Sequence, residues 1–179
     1  MRHLAASTAA AAALALLGTA VGAAPSQAQA DGGSPWTPYH QEDVLVPAAR
    51  STCAFDVQET VVEDREFFRT TATYPDGSPK EQVFRGDLVM RFTNTSTGAS
   101  VVHDLGGTGV FAYEPDGSPA SLTSLHGPFG ATLTAGSTPA SGIYVVSGKG
   151  TSVAFNADGT RTLTLGRHGS SIDVCAELG

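Results

Sequence analysis

The stretch LVMRFT at residues 88–93 decides the fold class, because it alternates between two kinds of side chain. Leu88, Met90 and Phe92 are large and apolar, whereas a valine, an arginine and a threonine separate and follow them. Successive side chains of a β-strand point to opposite faces, so this period of two predicts a strand with one buried face. A helix would need apolar residues spaced by three and four, and that spacing hardly occurs in the chain.

The same alternation continues on both sides of this stretch, in segments at residues 53–61, 153–155, 161–165 and 172–174. Turn sequences separate the segments: Pro-Asp-Gly-Ser at 75–78 and again at 115–118, and Ala-Asp-Gly at 157–159. In such turns proline presets one dihedral angle, aspartate bonds its own backbone, and glycine adopts a positive φ. We therefore predict an all-β fold, a single antiparallel β-sandwich or flattened β-barrel of about eight to ten short strands.

The chain divides into three parts. Residues 1–30 are typical of a secretory signal peptide, because a short basic start precedes an uncharged Ala/Leu run and a small-residue cleavage site at 28–30. Residues 31–50 are interpreted as an irregular, proline-rich lead-in, and residues 51–179 as the all-β domain. Within that domain the segment at 118–127 is compatible with one short helix, but its serines and threonines favour a strand.

Two cysteines, Cys53 and Cys175, are the only ones in the chain. In a secreted protein they predict one disulfide, which would enclose nearly the whole domain and stabilise it by about 5 kcal/mol on loop entropy alone. The alternation places Cys53 on one face with Phe55 but Cys175 with Asp173, and bonded cysteines on adjacent strands need the same side. Either a bulge shifts the register, or Cys53 precedes the regular pairing.

Charge and hydropathy exclude several partner classes. The chain carries 17 acidic and 10 basic residues, a formal net charge of −7. Such a surface argues against nucleic acid and anionic membranes as partners. No second apolar span follows the signal peptide, so no stable membrane association is expected. We expect a secreted, extracellular monomer whose partner is an unidentified ligand or protein.

Sequence motifs for catalysis or metal binding are missing. The sequence has no Gly-x-Ser-x-Gly motif and no Cys-x-x-Cys pair, and its histidines lack the spacing of metal ligands. We therefore predict no catalytic residue, no metal site and no cofactor.

Two polar clusters have competing interpretations. His103 and Asp104 precede a glycine-rich stretch at 106–109, whose backbone donors would suit a small anion, but a loop between strands is favoured. Glu63 to Glu66 is interpreted as a solvated hairpin tip rather than a calcium site, since the Asp-x-Asp-x-Asp-Gly pattern is missing.

Candidate binding residues are aromatic or histidine side chains. Trp36 and Tyr39 on the lead-in form an exposed recognition site in one interpretation and dock on their own domain in the other. The favoured function is a non-catalytic extracellular binding or surface module. The alternative is a small β-barrel enzyme or ligand carrier, with His103, Tyr113 and His126 lining an interior polar cavity.

Four features of the sequence also suggest a relationship. They are the Ala-rich leader, Phe55-Asp56-Val57 after the first cysteine, the stretch Asn94-Thr95-Ser96-Thr97-Gly98, and the terminal Asp173-Val174-Cys175-Ala176. In these features the chain resembles small secreted β-rich proteins of high-GC actinobacteria. The resemblance implies secretion and carries no known activity to transfer.

Overall fold

The structure, a computed structural model, describes residues 34–50 and 52–179. The signal peptide predicted at residues 1–30 lies outside the described residues. The described chain is mainly β-structure, which confirms the predicted fold class. Its strands are β1 (Thr37–Tyr39), β2 (Val44–Val46), β3 (Val57–Thr73), β4 (Pro79–Asn94), β5 (Ser100–Asp104), β6 (Gly107–Tyr113), β7 (Pro119–His126), β8 (Phe129–Leu133), β9 (Gly142–Ser147), β10 (Ser152–Phe155), β11 (Arg161–Thr164) and β12 (Ser170–Asp173). A 3₁₀ turn at Ala48–Arg50 and a short helix α1 (Val174–Glu177) complete the secondary structure of this part of the chain.

The strands form two antiparallel sheets. The large sheet has nine strands in the order β1-β3-β4-β6-β7-β10-β11, and in addition β2 pairs with β3 and β5 pairs with β4. The small sheet has the order β12-β9-β8. The large sheet is not closed into a barrel, so the sandwich is the observed one of the two predicted architectures. The described residues form twelve strands rather than eight to ten, partly because β1 and β2 lie in the segment interpreted as irregular.

The hairpin of β3 and β4 is far longer than expected, with strands of 17 and 16 residues. Glu63 and Glu66 lie inside β3, so the prediction of a hairpin tip there is wrong. Their segment is charged but has neither the glycine nor the proline of a tight turn. The two strands shift register between Val61 and Glu63, as at a β-bulge. The extra residue reverses which side chains point inward, and Asp64 and Glu66 therefore share the face of Val57.

Three hairpin tips repeat one hydrogen-bonding pattern, which confirms the predicted turns. In each, an aspartate carboxylate accepts from both the backbone N–H and the hydroxyl of the residue two positions later; the pairs are Asp76 with Ser78, Asp116 with Ser118, and Asp158 with Thr160. The hydroxyl bond, followed by the backbone bond, holds the pKa of each aspartate below its ordinary value.

The core is divided in two by β9, which is buried on both faces. Ile143 and Val145 belong to one apolar cluster together with nine other buried residues of the described chain, among them Val57, Met90, Phe92, Val174 and Leu178. Tyr144 and Val146 belong to the other, with Leu133, Val153 and Leu163. Alternate residues of a strand face opposite sides. The large sheet therefore packs on one face of β9 through β3 and β4, and on the other through β10 and β11.

The predicted disulfide between Cys53 and Cys175 is present, with a Cα–Cα distance of 5.6 Å. Cys175 was expected in the last strand but lies in α1. Side chains of a helix do not alternate between two faces as those of a strand do. Cys53 lies before β3 and its regular pairing, which is the second of the two explanations that the sequence left open. The bond ties α1 to the start of β3, and Leu178 beyond it fills the same core cluster.

The lead-in is more regular than its prolines indicate. β1 and β2 both pair with β3, and between them the Asp64 carboxylate accepts a hydrogen bond from the backbone of Gln41. The segment at 118–127 is a strand, β7, as its serines and threonines favoured. Among the described residues, no helix has the length and apolar character needed to cross a membrane.

Candidate functional site

A cavity of about 330 Å³ lies between β8 and the face of the large sheet that carries Val57, Met90 and Phe92. We call that face the inner face and the cavity the groove. The lining is mainly apolar and includes Tyr39, Phe84, Leu88, Leu105, Phe111, Tyr113, Leu122 and Phe129. The polar side chains in the lining are those of Gln41, Glu66, Thr108 and Ser124.

Strand register produces the aromatic wall of the groove. Phe68 is paired with Phe84 across β3 and β4, and Phe111 lies one strand further on β6. The ring of Phe84 is 5.5 Å from Phe68, 5.2 Å from Phe111 and 5.3 Å from Tyr39, and the last two contacts are edge-to-face. Such geometries are favourable for aromatic quadrupoles. Phe155 continues the row, 6.4 Å from Phe111.

Glu66 is the acidic side chain in the groove lining. It is paired with Tyr39 on one side and with Gly86 on the other. One of its carboxyl oxygens is buried and has no hydrogen-bond partner among the described residues. Burial, and then the negative charge of Asp64, raise the pKa of Glu66 to about 7. The groove therefore holds a carboxyl group that changes charge near neutral pH.

Asp64 supports this arrangement from the same inner face of β3, beside Glu66. Its carboxylate accepts from the backbone N–H of Gln41 at 2.8 Å and of Glu66 at 3.1 Å, and its side chain is only 10% exposed. His40 lies 3.6 Å away and is itself largely exposed. Asp64 therefore fixes the lead-in against β3 and keeps a negative charge close to Glu66.

Hydrogen bonds from two tyrosine hydroxyls hold Tyr113 in place at the groove. The Tyr113 hydroxyl donates to the Gln82 side chain at 2.8 Å, and the Tyr74 hydroxyl donates to the carbonyl oxygen of Tyr113 at 2.8 Å. Burial raises the pKa of both Tyr39 and Tyr113, and Glu66 raises that of Tyr39 further. Both phenols therefore stay protonated and act as hydrogen-bonding groups at neutral pH.

A smaller cavity of about 150 Å³ adjoins the groove and shares Gln41, Leu88, Leu105 and Gly130 with it. Glu59 lines this second cavity, and burial raises its pKa to about 7. The inner face of β3 thus presents Glu59, Asp64 and Glu66 along one line that the bulge creates.

The structure brings two of the five predicted binding residues together. Tyr39 and Tyr113 both line the groove. Trp36 lies on the opposite, outer face of the large sheet, where its ring stacks 4.8 Å from the Arg69 guanidinium and 3.8 Å from that of Arg85. These contacts hold Trp36 against its own sheet.

The two histidines lie apart from the groove and from each other. The His103 ring nitrogen is 2.7 Å from the Glu177 carboxylate, a contact that joins β5 to α1. His126 is exposed at the end of β7, beside an open hollow that Arg65 and Arg85 also line. The polar cavity suggested by sequence therefore contains Tyr113 but neither histidine.

The glycine-rich stretch after His103 forms only a short connection. β5 ends at Asp104 and β6 begins at Gly107, so the expected loop shrinks to two residues, and the Asp104 carboxylate accepts from the backbone of Gly106 at 2.7 Å. A Cβ at Gly107 would lie 2.5 Å from a backbone oxygen of β7. These glycines let strands approach closely. No group of three or more His, Cys, Asp or Glu side chains in the described chain is placed to hold a metal ion.

Sequence reasoning missed Glu59, Glu66, Phe84 and Phe111. The aromatic residues carry a visible signal, since they alternate within strands. The two glutamates do not, because their inward position depends on the bulge at Val62. No protein-family model, curated protein or solved structure matches this chain, so its groove is interpreted from its own residues.

Proposed function

We propose that the protein is a secreted, non-catalytic binding protein that holds one small, largely apolar molecule in the groove. The observation that carries the proposal is a cavity of about 330 Å³ with an aromatic wall and few polar groups. Small-molecule sites are commonly concave, of about 300–1,000 Å³, and mainly apolar with a few placed polar groups. The groove matches each of these properties.

The polar groups of the groove favour binding over reaction. The Ser124 hydroxyl donates to the carbonyl oxygen of Gly127 at 3.0 Å, so it is not paired with a base. Nucleophilic catalysis requires such a base within hydrogen-bond reach. Secretion, the remaining part of the proposal, is supported by the signal-like start of the sequence and by the disulfide.

Titration with N-phenyl-1-naphthylamine, an uncharged dye whose fluorescence rises in apolar sites, tests the proposal on the protein that begins at Asp31. We expect saturable binding of one dye per chain. Phe111→Ala should weaken it at least about tenfold, because a buried aromatic contact contributes more than about 1.4 kcal/mol.

Phe67→Ala is the matched control, since Phe67 lies on the outer face and is 39% exposed. It should bind the dye like the unaltered protein. Dye binding that is unsaturable, or that both variants weaken equally, would show that the groove is not a ligand site.

A further inference from the structure

We infer that the ligand of the groove carries a positively charged amine, which pairs with the unpartnered oxygen of Glu66 while its apolar part contacts Phe84 and Phe111. This inference rests on the proposed function and names the chemical class of its ligand. Three independent features of the groove support it: an unsatisfied acceptor, a one-sided charge distribution and exposed aromatic faces.

The first feature is the buried oxygen of Glu66, which no described donor reaches. A buried polar atom without a partner destabilises a protein, and more so if it is charged. An ammonium group offers three N–H donors and no acceptor. An amine bound here would satisfy the oxygen that the fold leaves without a partner.

The second feature is the charge distribution. The residues that line the groove include Glu66 but no lysine, arginine or histidine. The adjoining cavity adds Glu59 and likewise has no basic residue in its lining. The nearby arginines of β3 and β4 lie on the outer face, where Arg65 pairs with Glu63 and Asp87 while Arg69 and Arg85 stack on the ring of Trp36. A cation is therefore attracted to the groove, and an anion is repelled from it.

The third feature is the aromatic wall next to Glu66. Tyr39 is paired directly with Glu66, and the Phe84 ring lies 5.3 Å from the Tyr39 ring. A cation within about 6 Å of an aromatic ring is attracted to the face of that ring, and more strongly where water is excluded. A carboxylate beside aromatic faces is thus suited to an organic ammonium ion, with no need for a metal or a cofactor.

Proton linkage distinguishes this ligand from an uncharged one. Because the pKa of Glu66 is raised to about 7, a neutral hydrogen-bond acceptor would bind its protonated form, and an amine would bind its ionised form. About one-tenth of the groups are ionised at pH 6 and about nine-tenths at pH 8, so amine binding should tighten about tenfold across that range.

Other ionisable groups near Glu66 do not reverse the expected direction of the pH dependence, which is tighter amine binding at higher pH. Those that face it or its neighbours are Asp64 and, in the adjoining cavity, Glu59 on β3, Tyr39 on β1, Glu42 and His40 after β1, and Tyr113 on β6. The groove-lining residues of β4, β7 and β8 carry no ionisable group. The carboxylates only add negative charge, and the two phenols have raised pKa values and stay neutral up to pH 8.

Displacement of N-phenyl-1-naphthylamine by 2-phenylethylamine and by its uncharged analogue 2-phenylethanol tests the inference, at pH 6 and pH 8. We expect the amine to compete at least about tenfold better than the alcohol at pH 8. The preference should shrink about tenfold at pH 6. Glu66→Gln should abolish the preference and remove most of its pH dependence, and an unchanged far-UV circular dichroism spectrum would show that the variant is folded.

Glu63→Gln is the matched control, because Glu63 pairs with Arg65 on the outer face. It should retain the amine preference. Equal competition by the two compounds, no competition by either, or a preference that survives in Glu66→Gln would overturn the amine inference while dye binding upheld the groove as a site. Failure of the dye to bind would overturn the proposed function itself, and the inference with it.

Discussion

The inner face of β3 and β4 has two halves that differ in what covers them. In the covered half, Val57, Met90 and Phe92 lie under β9 and α1 and are at most 2% exposed. In the open half, Phe68, Phe84 and Glu66 belong to the same strands and the same face, yet they are only partly buried. An inward-facing row of apolar side chains therefore becomes core only where a second layer of structure covers it.

The two halves also differ in polarity. In the covered half, the side chain of the buried Asn94 donates to the carbonyl oxygen of Leu178, so its amide is satisfied within the fold. In the open half, Glu66 keeps a buried oxygen without such a partner. A buried polar group with a hydrogen-bond partner stabilises the fold, whereas one without a partner beside a cavity can accept a hydrogen bond from a ligand.

The largest expected effect comes from removing equivalent rings in the two halves. Phe92→Ala should lower the free energy of unfolding by about 4 kcal/mol, since it leaves a closed void under β9. Phe84→Ala should lower it by about 1–2 kcal/mol, because the lost ring already faces an open groove that solvent can fill. Urea unfolding followed by circular dichroism measures both. Equal losses of unfolding free energy in the two variants would mean that the open half is packed as tightly as the covered half.

A smaller effect is expected from Glu59, at the border between the halves. Its pKa is about 7 in the folded chain and near 4.5 when unfolded, so between these values the native state binds more protons. Glu59 therefore lowers the free energy of unfolding as pH rises from about 4.5 to 7, and its effect stays constant above pH 7. Glu59→Gln should thus match the stability of the unaltered protein at pH 4 and exceed it by about 3 kcal/mol at pH 8.

The control for this pH dependence is Glu63→Gln, on the exposed outer face. Glu63→Gln should lack the gain in unfolding free energy that Glu59→Gln shows at pH 8. If Glu59→Gln behaved in the same way, the carboxyl of Glu59 would be solvated, and the second cavity would not extend the apolar interior.

The covered half was largely predictable from sequence, and the open half only in part. Alternation at residues 88–93 places Met90 and Phe92 on one face, and the number of cysteines predicts their bond. Tyr39 and Tyr113 were proposed as binding residues and do line the groove. The alternation of apolar and polar side chains is a local property of a strand, so it can be read from the sequence wherever the strand is regular.

The acidic part of the groove was not predictable, for a physical reason. A single bulge at Val62 exchanges the two faces of β3, so Glu66 points inward where unbroken alternation places Arg65. Sequence gives no separate signal for that bulge. The same limit applies to α1, which releases Cys175 from the alternation that created the apparent conflict with Cys53.

The smallest expected effect lies at the hairpin tips, which belong to neither half. Gly77 and Gly117 occupy the same position of the same turn, with φ of 89° and 84°, and an added Cβ would meet nothing within 4 Å at either. Replacement by alanine should therefore destabilise only through the left-handed backbone, by about 1 kcal/mol at each tip. Two equal shifts in urea midpoint, with unchanged dye binding, would show that the tips are local and interchangeable. A clearly larger loss for Gly117→Ala would instead connect that tip to the groove through Tyr113, four residues before it, and would extend the open half to the end of the hairpin.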